Sequence, residues 1–417
     1  MSKPGAFSPY QRFVVALLAF IQFTIILDFM IISPLGAILM PALSITTAQF
    51  GLVVSVYAFS AGVSGFLTAG FADRYDRKKL LLFFYAGFTL ATLFCGLAPT
   101  YPLLLAARMM TGVFGGVLGS IVMAIATDLF PFEMRGRVMG LLQTAFAGSQ
   151  ILGLPAGIFF ANRWGWHAPF LMIVTVAVMV GALAFHRLEP VDAHLKLKID
   201  RHPLHHLVQT LTRGDYAVGF LSTALLSIGG FMMMPFGSAF AVNNLGIALG
   251  DLPEIYLITG VVSIAFGPLV GRLADRFGKY AIFLFGSAVS TVLVLYYTHM
   301  GITPLPWVIV VNTLMFLGIF SRMIPSQALV ASIPSPESRG AFMSVGSSLQ
   351  QIAGGFGSII AGMIVVQTEE GRIEHFDRLG FIMVGTIFCS AVLMYFVNRV
   401  VARKVARHDP AEAALSH

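Results

Sequence analysis

Twelve apolar windows, each of a length that carries a helix across a bilayer, occupy most of this 417-residue chain. They run over 12–34, 49–71, 81–98, 102–127, 138–160, 168–186, 217–243, 254–273, 280–299, 305–332, 341–366 and 379–399. Such a chain has few structural options. Inside lipid every backbone N–H and C=O needs an internal partner, and a helix supplies one within each segment. The expected fold class is an all-α membrane protein with twelve transmembrane helices. Only 11% of residues are charged, against about 25% in ordinary soluble domains. The 42 glycines suit closely packed membrane helices. The first window is too long for a signal h-region and lacks a small-residue cleavage site, so it reads as a retained span. Cys95 and Cys389 both fall in apolar windows and offer neither a disulfide framework nor a metal-binding spacing.

Basic residues are spread unevenly between the windows. With both termini in the cytoplasm, 21 of the 26 Lys and Arg residues fall on that side. Arg163, Arg372 and Arg378 fall on the other, and Arg108 and Arg322 lie within windows. The positive-inside bias selects this orientation and accounts for the net charge of +7 without a nucleic-acid partner. A multi-pass protein of the plasma (inner) membrane with cytoplasmic termini is expected.

The chain also repeats itself. Ala72-Asp73-Arg74-Tyr75-Asp76-Arg77-Lys78 follows the second window, and Ala274-Asp275-Arg276-Phe277-Gly278-Lys279 follows the eighth, the Asp residues standing 202 apart. Glu133-Met134-Arg135-Gly136 precedes the fifth window and Glu337-Ser338-Arg339-Gly340 the eleventh, the Glu residues standing 204 apart. Two landmarks at nearly one offset indicate duplicated six-helix halves with the same orientation.

These landmarks resemble those of a known family. Gly271-Arg272-Leu273-Ala274-Asp275-Arg276-Phe277-Gly278-Lys279 is similar to the loop signature of the major facilitator superfamily, G-x-L-a-D-r-x-G-r/k. The first-half copy departs from it, with Ala69 at the first Gly and Asp76 at the second. Arg108 with Gly112 resembles that superfamily's fourth-helix motif. Leu27-Asp28 followed by Pro34 resembles the first-helix motif of its twelve-helix drug:proton antiporter branch. Gly153-Leu154-Pro155-Ala156-Gly157 is an imperfect version of the fifth-helix motif G-P-x-x-G-G. The resemblance covers essentially the whole chain. It implies two pseudo-symmetric six-helix bundles, the major facilitator fold, which rock about a central cavity near the bilayer midplane. The expected organisation is a first bundle over 1–186, a linker over 187–216 and a second bundle over 217–417.

Asp28 is the one acidic residue well inside an apolar window, where a carboxylate costs several kcal/mol unless protonated, paired or facing water. It lies seven residues from Leu35 at the outer end of its window, and Arg108 lies seven from Tyr101. At about 1.5 Å per residue both are roughly 10 Å deep. The resemblance makes the first and fourth helices neighbours and so implies an Asp28–Arg108 pair. Pairing and burial act oppositely on the titration of such a carboxylate. A proton-coupling site is expected, the alternative being a permanent ion pair that fixes helix packing. Gly112, Gly115, Gly116 and Gly119 continue from Arg108 as a ridge that permits close helix approach.

Arg322 sits near mid-depth with no acidic residue inside a second-half window to pair with it. It is expected to favour an anionic or strongly polar group on the cargo, the alternative being an arginine held by helix carbonyls. Gln143 and Gln350 are further candidates for cargo contact. So are Met233 and Phe236, in a Gly- and Pro-containing stretch that permits bending and offers adaptable apolar walls. The family motif also implies a conformational latch from Asp73, Arg77 and Asp128, with Asp275 and Arg276 as its second-half equivalent. The linker's His194, His202, His205 and His206 lack nearby Cys or paired carboxylates, so no metal site is expected. Leu204, Leu207, Val208 and Leu211 there predict an amphipathic helix on the inner membrane surface.

The function expected is secondary active transport: proton-coupled export of small organic molecules by alternating access, with the proton gradient as energy source and no cofactor. Alternatives are a lipid or lysolipid transporter on the same fold, a proton-coupled symporter of a small anion and, further off, a non-transporting receptor. There is no Walker-type loop, nucleophile elbow or zinc-protease motif, so an enzyme is not expected. The expected partners are a small-molecule cargo, protons and the bilayer, around a monomer.

Overall fold

A computed structural model describes residues 7–192, 195, 213–334 and 338–408. The predicted linker helix over Leu204–Leu211 lies outside the described residues.

The first half comprises α1 (Pro9–Ile31), the short α2 (Gly36–Leu43), α3 (Thr47–Phe71), α4 (Arg77–Leu97), α5 (Tyr101–Leu129), α6 (Phe132–Gly148), α7 (Leu154–Trp164) and α8 (Ala168–Arg187). The second comprises α9 (Gly214–Met233), α10 (Gly237–Asn243), α11 (Leu252–Phe277), α12 (Lys279–Thr298), α13 (Leu305–Ala331), α14 (Arg339–Ile364) and α15 (Phe376–His408). Between α14 and α15 stands a two-strand hairpin, β1 (Val366–Gln367) and β2 (Ile373–Glu374). Helix starts are locally encoded. Ser8 with Gln11, and Thr46 with Gln49, form capping boxes at α1 and α3, which satisfy otherwise orphaned N–H groups.

Two predicted windows differ from single uniform helices, and a third differs in composition. The fifth is interrupted by a π turn at Ser149–Gly153, which joins α6 to α7. The seventh breaks into a 3-10 turn at Met234–Phe236, between α9 and α10. Pro235 lies in that break; its missing N–H cannot continue the α-helical ladder. The eleventh, α14, is a full-length helix but falls short of the apolarity of the eleven other candidate spans among the described residues. Its Gly354, Gly355, Gly357 and Gly362 have close neighbours across helix contacts. Helix α14 is packed between α3 and α9, so small residues serve it better than bulky apolar ones.

Within the first half, α3 and α4 pack on α5, α8 on α4, and α6 and α8 on α1; within the second, α14 and α15 pack on α9, and α11 and α12 on α13. Each half has its own apolar cluster toward the end that carries the termini, around Phe88 and Ile121 in the first and Phe283 and Phe342 in the second. At the opposite end one cluster joins both halves, from Leu35, Leu39 and Phe50 to Phe236, Phe240 and Val365. The halves meet along α3–α14 and along α7–α11.

That far end is sealed. Thr47 Oγ1 donates to the Val365 carbonyl at 2.6 Å, Asn162 Nδ2 to the Leu249 carbonyl at 2.7 Å, and Ser238 Oγ to the Ser33 carbonyl at 3.2 Å. Ser33 Oγ in turn contacts the Met234 carbonyl. The Phe50 and Phe236 rings meet edge to face at 5.9 Å. Every one of these contacts crosses between the halves.

Candidate functional site

The Asp28 and Arg108 side chains are both completely buried. Arg108 Nη1 lies 2.8 Å from Asp28 Oδ2 and 3.2 Å from the Asp28 carbonyl. Thr92 Oγ1 on α4 donates to the other carboxylate oxygen at 3.3 Å. Three helices therefore converge on one carboxylate. Removing one partner of such a pair strands a charge in a medium that cannot solvate it, a loss of about 3–5 kcal/mol.

Arg108 is only partly satisfied by this arrangement. Its Nε and Nη2 are buried without a hydrogen-bond partner among the described residues. Instead its Cζ lies 4.6 Å from the centroid of the Tyr57 ring on α3, within cation–π range. The glycine ridge makes room for this. A Cβ at Gly115 would stand 2.8 Å from the Tyr57 hydroxyl, and one at Gly112 would run into the Tyr57 carbonyl. Gly116 meets the Ala61 carbonyl in the same way, whereas Gly119 has open space. Three of the four glycines thus pack α5 against α3.

The π turn holds α1 from the other side. Ser149 Oγ donates to the Phe23 carbonyl at 3.1 Å and to the Ala145 carbonyl at 2.9 Å. Gly153 and Gly157, four residues apart, abut Leu27 and Ile31 of α1. The imperfect fifth-helix motif is therefore a close-packing face against the helix that carries Asp28. Beside it lies an apolar cavity of about 200 Å³, lined by Phe23, Leu27, Leu152, Gly153 and Met172 among others.

The other expected site residues are placed as follows. Arg77 Nε lies 3.2 Å from Asp128 Oδ2, and its Nη1 donates to the Ala72 carbonyl at 2.7 Å. The side chain of Asp73 lies outside the described residues. Asp76, the departure from the family signature, has its own role: its Oδ1 accepts from the backbone N–H groups of Lys78 at 2.8 Å and Val191 at 3.1 Å. It both caps α4 and ties down the chain leaving α8. Asp275 and Arg276 are exposed, with Arg276 over the Phe277 ring at 5.2 Å. Gln143 and Gln350 are exposed on α6 and α14.

The remaining candidates lie in the second half. Met233 and Phe236 are both buried in the apolar cluster that joins the halves at the far end, at the 3-10 turn over Met234–Phe236. Arg322 lies on α13. Its Nη2 donates to Ser390 Oγ on α15 at 2.8 Å, and its Cζ lies 5.7 Å from the Phe283 ring on α12. Both are second-half helices, so Arg322 bridges α13 to them.

Thr92 and Tyr57 escape sequence reasoning, since neither is conspicuous in an apolar helix. A second-half polar centre was within reach. The repeat offset of 204 carries Arg108 to Asn312, and 202 carries Tyr57 to Thr259. Asn312 Nδ2 donates to Thr259 Oγ1 at 3.0 Å. The second half keeps a polar α11–α13 bridge where the first has a cation under a ring.

Two halves built of helices long and apolar enough to cross a membrane thus meet across a seam, with an ion pair buried in the first. The Major Facilitator Superfamily model matches residues 18–358 and again 219–414. The chain belongs to that superfamily. It is 25% identical over 381 residues to the Uncharacterized MFS-type transporter YceJ of Bacillus subtilis (strain 168), covering 88% of this chain and 93% of that protein. It is 25% identical over 327 residues to Multidrug resistance protein MdtG of Citrobacter koseri, covering 75% and 77%. In fold it is similar to a bacterial homologue of the human lysosomal transporter Spinster, in an inward-facing, unoccupied conformation, with TM-score 0.75 and 15% identity over 95% of this chain and 99% of that one. A point mutant of the nucleoside transporter NupG superposes with TM-score 0.68 at 14% identity, covering 93% and 99%.

Proposed function

We propose that this chain is a proton-coupled secondary transporter that exports small organic molecules. The observation that carries this reading is the completely buried Asp28–Arg108 pair. A carboxylate at that depth has few stable states: ionised beside the arginine, or protonated with the arginine released. A proton arriving from one face of the membrane switches between them, and each state favours a different arrangement of helices packed on α1 and α5. Cargo that binds one arrangement better than the other is then coupled to the proton. The name of the MdtG relative, a multidrug resistance protein, favours export of drug-like molecules. The termini and most basic residues would face the cytoplasm, which makes the sealed far end the outer one. The Arg77–Asp128 pair at the terminal end is read as part of a latch between conformations, with Asp73 as its expected third member and Asp275 and Arg276 as its second-half equivalent.

The test is cargo-induced proton flux in proteoliposomes, read with a pH-sensitive dye, across a panel of lipophilic cations, sugars, amino acids and lysolipids. Export of drug-like molecules predicts flux with the lipophilic cations. Flux with lysolipid alone would transfer the reading to lipid transport. Uptake of cargo that is indifferent to an imposed pH gradient would overturn the coupling.

A further inference from the structure

A guanidinium is a permanent cation, so something else must hold the Arg108 side chain when the Asp28 carboxylate is neutral. The Tyr57 ring, 4.6 Å from Arg108 Cζ, is placed for it. Tyr57 is buried, and its hydroxyl end is confined beside Gly115. Its ring packs on Phe29 at 5.2 Å, and Phe29 packs on Phe231 of α9 at 5.6 Å. Phe231 is itself backed by Gly354 of α14, where a Cβ would stand 3.0 Å from the ring. Phe29 follows Asp28 in α1. One aromatic chain thus runs from the guanidinium of the first half to two helices of the second.

We propose that Tyr57 is a positioning residue for Arg108, and that through Phe29 and Phe231 it passes the state of the Asp28–Arg108 pair to the second half. The proposal rests on the proton-coupling reading of that pair. With Asp28 ionised, Arg108 is shared between the carboxylate and the ring. With Asp28 neutral, the guanidinium loses its Oδ2 acceptor, and the ring face becomes its main electrostatic partner. A cation settling further onto Tyr57 moves a ring that has no slack, since interiors packed this closely pass displacement to the next contact. That next contact is Phe29 and then Phe231, across the seam that alternating access must remodel. Among the described residues, the titratable groups facing Asp28 are Arg108 on α5, Tyr57 on α3 and Cys95 on α4.

The test needs no cargo. Spin labels are placed at Leu103 and Ile302, both exposed, near the far ends of the two halves, with exposed Cys389 replaced by Ser. The distance between them is measured in nanodiscs from pH 5 to pH 9. The wild-type chain is expected to shift between two distance populations with one midpoint. Tyr57→Phe, which keeps the ring face, should preserve that midpoint. Tyr57→Leu should move it by at least one pH unit, a tenfold change in proton affinity, or abolish the shift. Phe231→Leu, remote from the charges, should leave a correctly folded protein whose distance no longer follows pH. A Tyr57→Leu protein that titrates like wild type, or a Tyr57→Phe protein as altered as Tyr57→Leu, overturns the role of the ring. Asp28→Asn separates the two readings. Retained pH dependence in that variant sinks proton coupling itself, whereas its loss beside an unaltered Tyr57→Leu profile sinks only the aromatic relay.

Discussion

Arg108 Nη1 lies 2.8 Å from Asp28 Oδ2, with neither side chain reaching solvent. The two residues are 80 apart in the chain and meet because their helices place them at equal depth from the same face. Neutralising one without the other separates charge from coupling. Asp28→Asn should retain a fold, since an amide still accepts from Arg108, yet lose accumulation of cargo against a pH gradient. Arg108→Ala should be worse, stranding the carboxylate at a cost of about 3–5 kcal/mol. Gradient-driven uptake and melting temperature, measured on both variants, check the pair.

The glycine ridge makes a graded prediction. Gly116→Ala forces a Cβ into the Ala61 carbonyl, and overpacking of that kind costs about 1–3 kcal/mol. Gly119→Ala meets nothing within 4 Å and gains helix propensity of about 1 kcal/mol. Thermal unfolding in detergent should therefore rank Gly116→Ala below wild type and Gly119→Ala at or above it.

At the far end, Thr47→Val removes the 2.6 Å hydrogen bond to the Val365 carbonyl. A net loss of about 1 kcal/mol shifts the balance between sealed and open forms roughly fivefold. Labelling of a cysteine introduced beneath the seal by a membrane-impermeant maleimide should accelerate by about that factor.

The Arg77–Asp128 pair has side chains that are 7% and 23% exposed, so it is neither a surface pair nor a sealed one. A double-mutant cycle through Arg77→Ala and Asp128→Ala should return a coupling of about 1 kcal/mol. Measured on the transport rate as well as on stability, it shows whether the contact acts on conformational exchange.

Arg322→Gln keeps a donor for Ser390 but loses the cation over Phe283. Thermal stability should fall while cargo affinity, from a binding titration, stays within about twofold, consistent with lost packing of a half-buried arginine. A tenfold drop in affinity at unchanged stability would instead place Arg322 against cargo.

The amino-acid sequence by itself determined the spans, the duplication and the matching depths of Asp28 and Arg108. Those are linear quantities: run length, offset, and rise per residue along a helix. It carried less about direction around the helix axis. In a soluble protein an apolar stripe marks the buried face of a helix, but in lipid the outward face is apolar too, and the stripe is lost. Tertiary packing alone therefore decided that Tyr57 lies over Arg108, that Arg322 turns toward Ser390 and Phe283, and that Met233 and Phe236 close the far end. The break at Met234–Phe236 and the π turn at Ser149–Gly153 add rotations that no uniform helical count reproduces. Depth was legible because the bilayer imposes it; azimuth was not, because only neighbouring helices do.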